Sequence, residues 1–164
     1  MKTSAGLVLY RESQDLLEIL LVHPGGPLWV RRDLGVWSIP KGEVTEGEEL
    51  LQAAKREFKE ELGTAPEGLF LPLGSVTQKG GKVVHAWAVR SDIDVSRIES
   101  NTFTMEWPPH SGRQQEFPEV DRAAFFRIED AKKKINPAQI LFLEKLQAEV
   151  RRTLDSGNSL WLFL

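Results

Sequence analysis

Apolar side chains crowd residues Gly6–Tyr10 and again Leu17–Val22, with the polar stretch Arg11–Asp15 between them, a pattern that predicts two strands joined as a hairpin. The following segment, His23–Gly35, holds two prolines and three glycines and predicts an irregular loop leading into WSIPKG, Trp37–Gly42. From Glu48 the apolar period becomes helical. Leu51, Ala54, Phe58 and Leu62 form one stripe of a helix over 48–62, and Gly63 is placed to stop it. Strands are expected at Leu69–Thr77 and Lys82–Val89, turning around Gly80 and Gly81. Asp92–Glu119 is polar with scattered aromatics and reads as a long loop, the kind that serves as a binding or lid element. Ala123–Ile128 predicts a last core strand, and Ala138–Leu154 a closing helix with Leu143, Leu146, Val150 and Leu154 on one side. The pattern is that of an α+β domain over residues 1–155 followed by an apolar tail, 156–164. Exposed, such a tail would be a liability, so it is expected to pack on the domain or on a second copy, which leaves a homodimer open.

Composition narrows the chemistry. At 164 residues, 41% hydrophobic and 27% charged, the chain can bury a core without disulfides and falls in the soluble globular range. The absence of cysteine removes disulfides, thiolate zinc sites and cysteine nucleophiles, so any metal must be held by oxygen or histidine. Three scattered histidines do not suggest a histidine site, and His85, on an alternating strand, reads as structural. The apolar stretch before Arg11 and Glu12 is too short for a signal peptide, and no run approaches the ~20 apolar residues of a membrane span. A cytoplasmic protein with no membrane partner is therefore expected. A net charge of -3 argues against a nucleic-acid partner and leaves a small phosphorylated substrate open. Trp87 reads as core, whereas Trp29 and Trp107 lie in loops and could stack on a base or cover the core. No P-loop is present, so kinase or ATPase chemistry of that type has no support.

The helix over 48–62 concentrates acid. Glu57, Glu60 and Glu61 are spaced i, i+3 and i+4 and fall within roughly 100° of one another on one face. Like charges so placed oppose the helix by roughly 0.2–0.5 kcal/mol per pair. A divalent cation would reverse that sign, and Mg2+, which takes a few carboxylates plus waters and phosphate oxygens, suits three glutamates on a rigid helix. The bland reading is a solvated helix whose glutamates pair with Lys55, Arg56 and Lys59.

The wider pattern favours the metal. Gly42, Glu48, Arg56, Glu57, Glu60, Glu61 and Gly63 occupy the places of G-x5-E-x7-R-E-U-x-E-E-x-G-U, with Phe58 at the first bulky position, and the segment resembles the Nudix box. Thr64 at the last bulky position departs from it, beyond the acidic helix. The resemblance, which extends over residues 3–154, implies a Nudix-type α/β/α sandwich with a central mixed β-sheet, and a magnesium-dependent hydrolase, Mn2+ being the alternative cofactor. It implies metal ligands at Gly42, through its carbonyl, and at Glu57, Glu60 and Glu61. Arg56 orients the carboxylates in this reading. Gly63 serves the box structurally, as does Glu48, which also completes Thr45-x-x-Glu48, a potential capping box.

Outside the box, WSIPKG is similar to the approach segment of the diadenosine tetraphosphate hydrolase branch, which makes Lys41 a candidate phosphate contact and leaves a plain surface lysine as the alternative. Many family members place a further acid before the last core strand. Glu119, six residues before Phe125, is favoured as added metal ligand or general base, with Glu116 second; Glu57 is the other candidate base. The expected reaction is attack of a metal-activated water on a diphosphate of a small nucleotide. The best match in substrate is a dinucleoside polyphosphate cleaved to nucleoside triphosphate and monophosphate, with Trp107 stacking on its second base. The alternatives are a nucleoside triphosphate pyrophosphohydrolase, an RNA-end-processing enzyme with a basic groove, and a non-catalytic nucleotide-binding module.

Overall fold

The alternation along the first strand, β1 (Thr3–Ser13), sends Leu7 and Leu9 to one face of a sheet and Val8 and Tyr10 to the other, and all four are buried. A strand buried on both faces needs cover on both, and helices supply it. A computed structural model describes residues 2–155 of the chain; the expected packing of the tail 156–164 lies outside them.

β1 pairs antiparallel with β2 (Leu16–Pro24), and the hairpin closes through Gln14 and Asp15, both at positive φ, a narrower turn than Arg11–Asp15. A short strand, β3 (Lys41–Glu43), pairs with the start of β1, Gly6 facing Lys41. No strand is expected there, beyond the loop His23–Gly35, because three residues carry no alternation. β4 (Phe70–Thr77) and β5 (Val83–Arg90) are antiparallel to each other, and β5 runs parallel to β1. The sheet order is β4-β5-β1-β2-β8, where β8 is the last strand, Val120–Arg127, with β3 beside β1, so the sheet is mixed as expected.

Helix α1 (Leu50–Leu62) covers one face, placing Ala53, Ala54, Phe58 and Leu62 against Leu7, Leu9, Leu20 and Val22. Phe58 is fully buried, a contribution of roughly 1.5–3 kcal/mol. The helix begins at Leu50 rather than Glu48, because Glu48 N–H closes a turn on the Thr45 carbonyl. It ends at Gly63, whose φ of 80° is the left-handed cap that glycine adopts without strain. The other face is covered by α2 (Ile128–Lys134) and α3 (Ile140–Asp155), which contribute Ala131, Phe142, Leu143, Leu146 and Val150. Leu154, expected on that apolar side, is 58% exposed. The sequence reading passed over α2 because its single buried residue, Ala131, leaves no stripe to read. Trp87 is half-buried beside the α1-side core.

The expected long loop Asp92–Glu119 contains structure. β6 (Thr102–Glu106) and β7 (Gln114–Pro118) form a two-stranded hairpin outside the main sheet, with Phe103 opposite Phe117. Their polar alternation buries only one face, so no apolar run marks them. The last strand, β8 (Val120–Arg127), starts earlier than Ala123 and pairs with β2.

Candidate active site

The C-terminal half of α1 rises beside β3, and the two elements bound one side of a cleft of about 500 Å³. Gly42 on β3 and Glu57, Glu60 and Glu61 on α1 line it, together with Lys41, Lys82, Asn101 and Glu119. Val22, Val36 and Ile39 supply an apolar wall.

Helical geometry alone brings the three glutamates to this face. Their environments differ. Glu57 packs directly on Gly42, where a Cβ would fall 1.9 Å from Oε2, so only glycine allows the approach. Burial pushes its carboxyl upward, with Arg56 opposing and Glu60 and Glu119 adding to the rise. Burial raises Glu61 further, to about 8; Lys41 opposes this, while Glu57 and Glu119 reinforce it. Glu61 Oε2 is buried with no hydrogen-bond partner. Glu60 is the most open of the three.

Arg56 stands behind this row and distributes its guanidinium among four groups. Nε and Nη2 donate to both carboxylate oxygens of Glu48, at 2.8 and 3.0 Å. Nη1 donates to Glu57 and Glu60 at 2.9 and 3.1 Å, and Nη2 also donates to the Glu43 carbonyl. The fork ties the loop before α1, β3 and the acidic face into one unit. Glu48, held at about 2 first by Arg56 and then by the Thr45 N–H, anchors that unit. It reaches back to Thr45 as a capping-box glutamate would, but in a turn ahead of the helix, since α1 is capped by Glu49 without a side-chain bond. Among the described residues no three acidic or histidine side chains converge on one ion by themselves, and Arg56 engages one oxygen each of Glu57 and Glu60.

Lys41 faces the acids from β3. Burial lowers its ammonium pKa most, followed by the charge of neighbouring Lys82, while Glu61 and Glu57 work the other way. Lys82, immediately before β5, carries no signal in the sequence, being a single lysine after a Gly-Gly turn. Asn101 carries none either. Its backbone joins the acids to the far wall: Asn101 N–H donates to the Glu60 carbonyl at 2.8 Å, and Glu119 N–H donates to the Asn101 carbonyl at 2.9 Å. Glu119 thereby lines the cleft, whereas Glu116 accepts from Thr102 on the outer hairpin and does not. Trp107 does not line the cleft either; it lies beyond the end of β6, where its carbonyl accepts from Gln115. Trp37 is buried, donating to Asp33. Trp29, 37% exposed with Arg32 near its ring, sits in the loop between the cleft residues Pro24 and Val36.

Comparison with known proteins places this geometry. The NUDIX domain model matches residues 1–146. The bis(5'-nucleosyl)-tetraphosphatase [asymmetrical] of Caenorhabditis elegans is 41% identical over 66 residues, 40% of this chain, and the match spans only 44% of that relative's length. In structure, the chain is similar to a C. elegans Ap4A hydrolase binary complex, with 25% identity, 91% of this chain and 98% of that chain covered, and a TM-score of 0.66. It shares its fold with the NUDIX domain of Shewanella oneidensis NrtR complexed with ADP ribose, at 16% identity, 90% and 87% coverage and a TM-score of 0.63.

Proposed function

We propose, for a chain that belongs to the NUDIX domain family, that it is a hydrolase of phosphoanhydride bonds whose substrate is a dinucleoside polyphosphate, diadenosine tetraphosphate or a relative, cut into a nucleoside triphosphate and a monophosphate with Mg2+ as cofactor. The observation that carries this reading is the facing of two ammonium groups, Lys41 and Lys82, with the carboxylates Glu57, Glu61 and Glu119 in one cleft. A polyphosphate chain is the ligand class that answers to both signs at once, its oxygens meeting lysines directly and carboxylates through a shared cation. The similarity to the C. elegans tetraphosphatase supports the choice of substrate.

The residues fit a divalent cation. Glu61 keeps a buried carboxylate oxygen without a partner, and both Glu57 and Glu61 are held above their ordinary range by burial and mutual repulsion. A cation removes that cost, and the all-oxygen donor set of Glu57, Glu60, Glu61 and the Gly42 carbonyl suits Mg2+. When bound, the ion neutralises diphosphate charge and lowers the pKa of water.

The side chains have separate tasks. Lys41 and Lys82 hold phosphate oxygens and fix the direction of the chain in the cleft. Arg56 holds Glu57 and Glu60 in their rotamers by the fork described above. Glu57 and Glu119 both line the cleft, and each can accept a proton from an attacking water; Glu119 has the more open carboxylate. No covalent nucleophile is required, since positioning and charge stabilisation suffice for this reaction class. Neither Trp29 nor Trp107 lines the cleft, so no tryptophan is assigned to stack on a base.

Competition among diadenosine tetraphosphate, ATP, GTP and oxidised dGTP in the presence of Mg2+, with products separated, tests the reading. The expected result is the highest kcat/KM for the dinucleotide, giving ATP and AMP. A preference for a single triphosphate with release of pyrophosphate would assign the chain to the pyrophosphohydrolases instead.

A further inference from the structure

Gln139 is completely buried, yet it precedes α3 on the face of the sheet away from the acidic helix. Its amide meets two distant segments. Oε1 accepts from the Ile39 N–H at 3.0 Å; Nε2 donates to Ser38 Oγ at 3.0 Å and to Gln78 Oε1 at 2.9 Å. The Ile39 N–H can only donate, which fixes the orientation of the amide. Both donors and the acceptor of the side chain are thus satisfied inside the protein.

The two segments it ties carry the two cleft lysines. Ser38–Ile39 leads through Pro40 into Lys41, and the Pro40 carbonyl is pinned to β1 by the Leu7 N–H at 3.1 Å. Gln78 opens the turn into β5: its N–H donates to the Lys82 carbonyl at 2.7 Å, and its carbonyl accepts from Gly81. Two ammonium groups repel, so the arms bearing them separate unless the backbone beneath is held. One buried amide links the two arms directly, in addition to the pairing of each with β1.

We propose that Gln139 is a positioning residue that sets Lys41 and Lys82 in register to bind the phosphate chain as a pair, a role resting on the reading above that these lysines meet phosphate. A substitution that removes the amide leaves the Ile39 N–H and Gln78 Oε1 without their partner and frees the arms to part. The substrate end of the cleft then loosens while the acidic helix, which Gln139 does not touch, stays in place.

Calorimetric titration with a methylene-bridged analogue of inorganic tripolyphosphate, Mg2+ present throughout, reads this without turnover. K41A and K82A should each weaken binding about tenfold, and Q139L should weaken it by about fivefold or more. In a K41A/K82A background, Q139L should change Kd by less than about twofold, because the groups it positions are gone. A merely structural role would instead lower Tm and the titrated stoichiometry and leave Kd unchanged. Wild-type Kd in Q139L, with K41A and K82A both weakened, would overturn the proposal. Wild-type Kd in K41A and K82A would overturn the lysine reading first and the proposal with it. If Q139L does not fold, Q78L carries the test from the less buried end: about threefold weaker binding is expected, and an unchanged Kd overturns the proposal.

Discussion

The carboxylate of Glu57 lies against the α-carbon of Gly42, so near that a methyl group there would sit 1.9 Å from Oε2 and 2.0 Å from Cδ. β3 and α1 therefore meet at the one point where the cleft's backbone and its acidic helix must both be in place. G42A should drive the Glu57 carboxylate from its position and lower turnover at least about a hundredfold, ~2.7 kcal/mol of transition-state stabilisation, with far-UV circular dichroism unchanged. Turnover near that of wild type would mean that the contact is packing alone.

Glu60 and Glu61 test the acidic face more directly. E60Q and E61Q should each cost at least about a hundredfold in kcat, roughly 2.7 kcal/mol, because each removes a charge from the face proposed to hold the cation. Near-normal kcat in both variants would sink the metal assignment.

The cost of burying Glu61 with Oε2 unpartnered should be visible in stability. Mg2+ should raise the Tm of the wild-type protein by several degrees, since a ligand bound only by the folded state stabilises it. In E61Q the metal-free Tm should equal or exceed that of the wild type, and the Mg2+ response should shrink. Scanning calorimetry with and without the ion decides; an equal response in both proteins counts against Glu61 as a ligand.

Glu48 makes a pH prediction whose sign follows from its depressed carboxyl. The folded value of about 2 lies below the ordinary 4.5, so the stability it confers is fully present above about pH 4.5 and fades as pH falls toward 2. E48Q should lower Tm at neutral pH and show a shallower loss between pH 5 and 2. Parallel curves for the two proteins would remove Glu48 as the anchor of Arg56.

The outer acids and the hairpin tryptophan separate by position. E119Q should lower kcat by about tenfold or more with a changed pH profile, whereas E116Q and W107A should stay within about twofold of wild type. If E116Q proves the more damaging of the two acidic changes, Glu119 is not the acid that meets the substrate.

The relation among Glu57, Glu60 and Glu61 was legible without coordinates because helix geometry dictates it: i, i+3 and i+4 share a face wherever the helix lies. Strands with alternating or continuous apolar runs were legible for a similar reason. β6, β7 and α2 were not, since each buries too little to leave a pattern, and β3 carries its meaning in pairing with β1 rather than in its three residues.

The sequence by itself determined the order of the main elements, the acidic face of α1 and the glycine at its approach, all properties of local spacing, while the candidacy of Lys41 and Glu119 came from what the resemblance to the Nudix family implies. Only the tertiary structure decided that Lys82 joins Lys41, that Asn101 ties α1 to Glu119, that Trp107 stands away from the cleft, and that a buried glutamine on the opposite face joins the two lysine arms. Those relations depend on strand register and on turns that bring distant segments together, as from Ile39 to Gln139, whose separation is 100. No local periodicity encodes them, because the energy that selects them comes from cores packed on both faces of the sheet at once.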